Sequence, residues 1–214
     1  MNAAYKVVES FEREVATYAG APYAVAVDSC TNALFLACKY LGVEDVWIPA
    51  RTYLSVPMSI LHAGGRVHFE DREWRGAYQL KPYPIWDGAK RFRSGMYQGG
   101  LHCLSFHANK IIAIGKGGMV LTDDIDAVDW LKQARYEGRH QRPYDEDRVD
   151  MLGWNMYMTP EQAARGLTLM ASHLLDTDPP DQEEVYPDLR DHPVFQPFAT
   201  PRGTPAPAGA PTNV

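Results

Sequence analysis

The sequence predicts an α/β fold of three layers, a mainly parallel sheet flanked by helices, and three observations support it. Short apolar runs alternate along the chain with longer stretches of helical periodicity. Three polar residues suited to a ligand, Thr31, Asp87 and Ser105, fall at the ends of apolar runs or in the turns after them. In open α/β sheets a ligand sits outside the strands' carboxyl ends. Composition is ordinary for globular material, with 45% hydrophobic and 22% charged residues among 214, which suffices for one domain with a sizeable core.

In chain order, a helix is expected over 5–19 and a strand over 24–28, where Tyr23-Ala24-Val25-Ala26-Val27 is a short buried run. The stretch from Thr31 to Leu41 is amphipathic and predicts a helix over 31–41. A strand over 45–49, a helix over 52–63 and a strand over 66–70 follow. Tyr83-Pro84-Ile85-Trp86-Asp87 predicts a strand over 83–87, and the apolar run closing on Ser105 one over 101–106. A strand over 118–122 returns, a helix over 124–138 is capped by Asp123 or Asp124, and a last helix covers 160–173. Residues 1–174 are therefore the expected binding domain. Residues 175–214 hold nine of the sixteen prolines and are expected to form an extended arm with a disordered tip.

Lys110 most narrows the chemistry. It follows an apolar strand ending in Ser105 and precedes the turn Gly115-Lys116-Gly117-Gly118. A lysine sheltered there loses its proton more easily and becomes nucleophilic toward an aldehyde, as Schiff-base chemistry requires. An isolated lysine after a strand is ordinarily a solvated surface charge. The turn Asp28-Ser29-Cys30-Thr31 places hydroxyls and backbone N–H groups at a helix start, which suits a phosphate; plain N-capping by Ser29 or Thr31 also accounts for it. Asp87 ends its strand before the small residues Gly88 and Ala89, so its carboxylate suits a protonated ring nitrogen or the capping of the next segment.

Other classes are disfavoured. The net charge is −6, with no basic stripe, which argues against a nucleic-acid partner. No signal peptide or apolar run long enough to span a bilayer is present, so the expected location is the cytoplasm. Cys30, Cys38 and Cys103 are odd in number and lie in apolar surroundings, consistent with a reducing compartment. His102, Cys103 and His107 do not suggest a metal site, because strand alternation sends His102 to the opposite face from the other two.

The runs Phe11 to Tyr18, Tyr23 to Leu36, Ile48 to Tyr53, Ala63-Gly64-Gly65, Asp87-Gly88-Ala89, Ser105 to Gly118 and Gly153 to Leu167 together resemble the DegT/StrS-type sugar aminotransferases. These are pyridoxal-phosphate enzymes of fold type I, and the likeness covers about residues 8 to 172 in the family's order and spacing. It implies the fold of their large domain, with Lys110 forming the Schiff base and moving the proton in transamination. It further implies that Asp87 holds the pyridine nitrogen, and that Thr31, Ser105 and the Ser29-Cys30 turn bind the cofactor phosphate. Tyr53 matches a ring-stacking position. Asn155 matches an asparagine that reaches the cofactor of the neighbouring subunit in a homodimer.

The sequence departs from the family's pattern in several places. Lys90 stands where the family has glutamine or histidine near the ring hydroxyl, and Lys116 replaces a glutamate in the glycine-rich turn. Asn155-Met156-Tyr157-Met158 replaces Asn-x-Arg-Met or Asn-x-Arg-Leu. The chain is also near half the usual length, and the resemblance leads to the expectation that it is shortened at both ends, lacking the N-terminal lead and the small C-terminal domain. The activity implied is amino transfer from an amino acid, glutamate or glutamine, to a keto-sugar carried on a nucleotide. The alternative is a reduced, non-catalytic cofactor-binding or assembly subunit. The dehydratase branch carries a histidine at the position of Lys110, which argues against that chemistry.

Overall fold

The computed structural model describes residues 5–173 and 178–198. The expected tip, Pro201 to Pro211, lies outside the described residues. Alternation along the strands sets the layers. In β1 (Tyr23–Val27) Ala24 and Ala26 point to one side and Val25 and Val27 to the other. In β7 (Gly118–Thr122), which pairs with β1, Met119 and Leu121 join the alanines while Val120 joins the valines.

Two helices cover the first side. They are α1 (Lys6–Ala19), which buries Val8, Phe11 and Val15, and α5 (Pro160–His173), which buries Ala163 and Met170. The second side is covered by α2 (Cys30–Leu41), α3 (Ser55–Ala63) and α4 (Ile125–Ala134), through Leu34, Leu36, Val56, Ile60, Val128 and Leu131. The result is helix, sheet, helix.

The remaining strands are β2 (Asp45–Pro49), β3 (Arg66–Glu70), β4 (Tyr78–Gln79), β5 (Ile85–Asp87) and β6 (Leu101–Ser105). The main sheet has the order β1-β7-β6-β5-β4, and β2 and β3 form a separate parallel pair crossed over by α3. Trp47 of β2 exchanges backbone hydrogen bonds with Lys81 at 2.8 and 3.1 Å, which joins the pair to the main sheet's edge.

The α/β class is as expected, but the strand sense is not mainly parallel. β5–β6 and β2–β3 are parallel, whereas β1–β7, β6–β7 and β4–β5 are antiparallel. The reason is connection length and content. Residues 106–117 between β6 and β7 hold no helix and fold back on themselves, with Phe106 N–H bonded to Gly117 O at 2.9 Å and Ala108 N–H to Gly115 O at 3.1 Å. A return of that kind delivers the next strand antiparallel. The two-residue β4 has too short an apolar pattern to be read from sequence.

Two helix limits also shift. α3 starts at Ser55 rather than 52, with Pro57 in the first turn, where its missing N–H leaves no intrahelical bond unmade. α4, capped by Asp124 through Asp126 N–H at 2.9 Å and Ala127 N–H at 3.1 Å, ends at Ala134 rather than 138. Glu137 and Gly138 are left-handed, at φ 61 and 79°, and a Cβ on Gly138 would collide with Met151. This turn instead pairs with the returning chain, Trp154 N–H to Ala134 O at 2.6 Å and Glu137 N–H to Trp154 O at 3.0 Å.

Residues 178–198 lie against the body. Asp178 accepts from Tyr18 Oη and Ser94 N–H, each at 2.8 Å, and Asp181 takes both arms of Arg91 at 2.9 and 2.7 Å. Gln182 N–H bonds Lys90 O at 2.8 Å, and Leu189 N–H bonds Ala50 O at 2.9 Å. Leu189 and Phe195 are buried in the core, Phe195 edge-on to Phe69.

Candidate active site

Because β7 runs reversed between β1 and β6, strands β1, β5 and β6 share one direction and end on one edge of the sheet. Val27, Gly118 and Ser105 stand in register across that edge. The β1–α2 turn, Asp87 and Ser105 are thereby brought to a single cavity, which the loop carrying Lys110 also lines. Gly118 is required for the closeness, since a Cβ there would collide with the backbone of Ser29 and Cys30.

Ser29, Cys30, Thr31, Tyr53, Asp87, Lys90, Ser105 and Lys110 all line this cavity. Ser29 is the N-cap of α2, its Oγ accepting from Asn32 N–H at 3.2 Å. The capping reading is therefore realised, and it aims the helix N-terminus at the cavity, where the dipole favours an anion. Thr31 is anchored through its carbonyl, which accepts from Ser59 Oγ at 3.0 Å. Ser105 Oγ accepts a 3.4 Å bond from His107 N–H, and Tyr53 is half exposed at the mouth with its ring near Tyr186.

Asp87 is buried at 5% exposure, with Oδ1 accepting Ala89 N–H at 3.0 Å. Burial pushes its carboxyl above the usual range, and the Ala89 N–H, Tyr78 and the two lysines oppose that only in part. A buried carboxyl held this way is stabilised as an anion by a cation placed against it. Tyr78, behind Asp87, shares a 2.6 Å hydrogen bond with Thr52 Oγ1. Lys110 is half-buried; burial lowers its pKa first, the neighbouring Lys90 adds to that, and Asp87 and Cys30 pull the other way. Burial also drives the Cys30 thiol well above its ordinary range, which keeps it neutral.

Asn155 stands apart from the cavity within one chain. It is exposed, its Nδ2 donates to Glu137 Oε1 at 3.3 Å, and its backbone bridges to Tyr136. Sequence reasoning missed Glu184 and Tyr186, which reach the cavity from the arm, and Trp74, which stacks on Tyr186 at 6.1 Å. Glu184 Oε2 is bonded to Lys90 Nζ and accepts from Tyr186 Oη at 2.8 Å. Only the acidic run from Asp181 to Glu184 hinted at a charged partner, and nothing local assigned it to Lys90.

The sequence profile of the DegT/DnrJ/EryC1/StrS aminotransferase family matches residues 1–85 and 91–176. The spore coat polysaccharide biosynthesis protein SpsC of Bacillus subtilis (strain 168) is 27% identical, over 75% of this chain and 55% of that protein. GDP-perosamine synthase of Caulobacter vibrioides is also 27% identical, over 76% of this chain and 56% of its own length. The Helicobacter pylori aminotransferase PseC, involved in the biosynthesis of pseudoaminic acid, superposes with a TM-score of 0.68 at 17% identity. That match covers 78% of this chain and 58% of PseC, and shows a shared fold. The chain thus spans little more than half the length of the curated relatives it matches. Over the matched residues, the chain belongs to the DegT/DnrJ/EryC1/StrS aminotransferase family.

Proposed function

We propose that this chain is a pyridoxal-phosphate-dependent aminotransferase that moves an amino group from glutamate or glutamine to a keto-sugar carried on a nucleotide. The observation that supports it most is the meeting, around one cavity, of a half-buried amine, a buried carboxylate and a helix N-terminus flanked by hydroxyls. Those are the three groups that pyridoxal phosphate requires, and the enclosed carboxyl of Asp87, raised by burial, fits a cationic ring nitrogen. Lys110 would hold the cofactor through Nζ, Asp87 through the ring nitrogen, and Ser29, Cys30, Thr31 and Ser105 through the phosphate. Lys90 would lie near the ring's edge and Tyr53 against its face.

When bound, the cofactor supplies a sink for the electron pair left as a substrate C–H proton departs. Lys110 accepts that proton at Nζ and returns it, which requires a neutral amine, and burial beside Lys90 favours that form. Asp87 keeps a positive charge opposite its carboxylate. The N-terminus of α2 holds phosphate without a lysine. Asn155 would act on a second copy's cavity in a homodimer, which accounts for its distance from the cavity of its own chain. The name GDP-perosamine synthase supports the nucleotide-linked acceptor. The division proposed is a binding domain up to residue 174 followed by an arm, of which residues 178–198 are described, and the three buried free thiols suit the cytoplasm. Among the described residues no helix is long and apolar enough to cross a membrane.

The test is to load the purified chain with pyridoxal phosphate, record its visible absorbance, add glutamate, and map the borohydride-fixed peptide. A band that shifts with glutamate and an adduct on Lys110 are expected. A band that does not respond would favour a non-catalytic binding subunit, and an adduct on Lys90 or Lys116 would overturn the assignment of the amine.

A further inference from the structure

Three lysines line this cavity, Lys90, Lys110 and Lys116, and Lys90 is the most buried of them. Lys90 follows Asp87 by three residues, is only 5% exposed, and directs its ammonium toward the same space as Lys110. Its carboxylate partner comes from the far end of the chain, as Glu184 on the arm, with the Tyr186 ring 5.7 Å from Nζ. The arm is held there independently of that ion pair, by Asp178, Asp181, Gln182 and Leu189. Gln182 Nε2 also bonds Asn109 O at 3.0 Å, which fixes the arm to the residue before Lys110.

We propose that Lys90 and Glu184 form a positioning pair that sets the charge of Lys110: Lys90 holds Lys110 in its neutral, reactive form, and Glu184 limits how far. Two ammonium groups in one partly dry cavity repel, so the charge of Lys90 disfavours a charge on Lys110. The Glu184 carboxylate contacts Lys90 directly, and the lowering falls on Lys110, from burial first and from Lys90 next. Asp87 and Glu184 both favour the charged form of Lys110, while Lys90 opposes it. The other groups around the cavity are the neutral Cys30 thiol, the Tyr53 and Tyr186 hydroxyls, His107 and Lys116. Lys116 is mostly exposed and paired with Asp28 at 3.2 Å, so Lys90 is the cation placed to act on Lys110.

The inference rests on Lys110 being the reacting amine, but it is tested without cofactor. Trace acetylation with acetic anhydride across a pH series, read by peptide mass spectrometry, gives the titration midpoint of Lys110 in the cofactor-free chain, with Lys39 as internal reference. Lys90→Met and Lys90→Gln should raise that midpoint by about one pH unit or more. Lys90→Arg, which keeps the charge, should leave it near the original value. Glu184→Gln should lower it, a change of opposite sign that mere loosening of the cavity does not produce. If the Lys90 variants fail to fold, Glu184→Gln decides the matter alone. An unchanged midpoint in folded Lys90→Met and Lys90→Gln, or a rise in Glu184→Gln, overturns the proposal. Borohydride mapping decides separately whether the cofactor attaches to Lys110.

Discussion

Arg135, just past the end of α4, donates from Nη1 to Glu12 Oε1 of α1 at 2.6 Å, with both side chains buried. The pair grips the outer edge of the sheet. Ala26 of β1 gives its N–H to Glu12 Oε1 at 2.8 Å and accepts from Arg135 at its carbonyl. An edge strand otherwise presents unpaired backbone groups, and here two charged side chains satisfy them while tying helices from opposite faces together.

Removing one member strands the other in the core. Glu12→Ala should lower stability by about 3–5 kcal/mol in urea unfolding. Glu12→Leu combined with Arg135→Leu should cost clearly less than the sum of the two single changes, because no charge is left buried alone. Additive losses would mean that the two residues act separately.

Asp87→Asn should separate folding from catalysis. The raised pKa means that Asp87 favours the folded state most at acid pH and loses that contribution as pH rises through its folded value. The cofactor-free amide variant should therefore be at least as stable as the parent at neutral pH. Transamination should fall by about 100-fold or more, since a neutral amide cannot hold a ring nitrogen protonated. Near-parental turnover would leave Asp87 only its bond to Ala89 N–H.

His102 should make stability depend on pH. It is buried between Trp86 and Tyr97, and burial, aided by Arg91, holds its imidazole down to about 4 from the ordinary 6.5. The unfolded chain then binds the proton that the folded chain refuses, so stability is full above about 6.5 and falls toward pH 4, by roughly 3 kcal/mol over the window. His102→Phe should flatten that part of the denaturation profile; an unchanged slope would show that other groups govern it.

Mixing two impaired chains should restore activity if sites are shared. A Lys110→Ala chain and an Asn155→Ala chain, the latter first shown to be impaired, should form some heterodimers with one wholly native site. Of the apolar residues around Asn155, Leu152 is 91% exposed and motivates the interface, whereas Met158 is fully buried and Met151, Trp154 and Met156 pack partly against the core, so the expected apolar patch is smaller than the sequence cluster suggested. Normal cofactor binding by a chain that sediments as a monomer would sink the shared site.

Local chemistry alone located most elements. The Asp28-to-Thr31 turn, the acid before α4 and the apolar runs of β1, β2, β3, β6 and β7 all lie within a residue or two of their expected places. Each depends on neighbours a few positions away, which a sequence displays directly. The same holds for Lys110, Asp87, Ser105 and the Ser29–Thr31 turn, which the structure gathers around one cavity. Their roles toward a cofactor are proposed here.

Long-range geometry decided the rest. The direction of β7 depends on how residues 106–117 fold back, and the end of α4 on the pairing of Glu137 with Trp154. Lys90 meets Glu184 across 94 residues, and Glu12 meets Arg135 across 123. A charged side chain states its need for a partner but not which partner, because loop-closure entropy grows only slowly with separation and many distant residues compete on nearly equal terms. The sequence by itself therefore determined where helices, strands and reactive groups lie along the chain. Only the packed structure decided which groups share a cavity, because that depends on contacts between residues far apart in the chain.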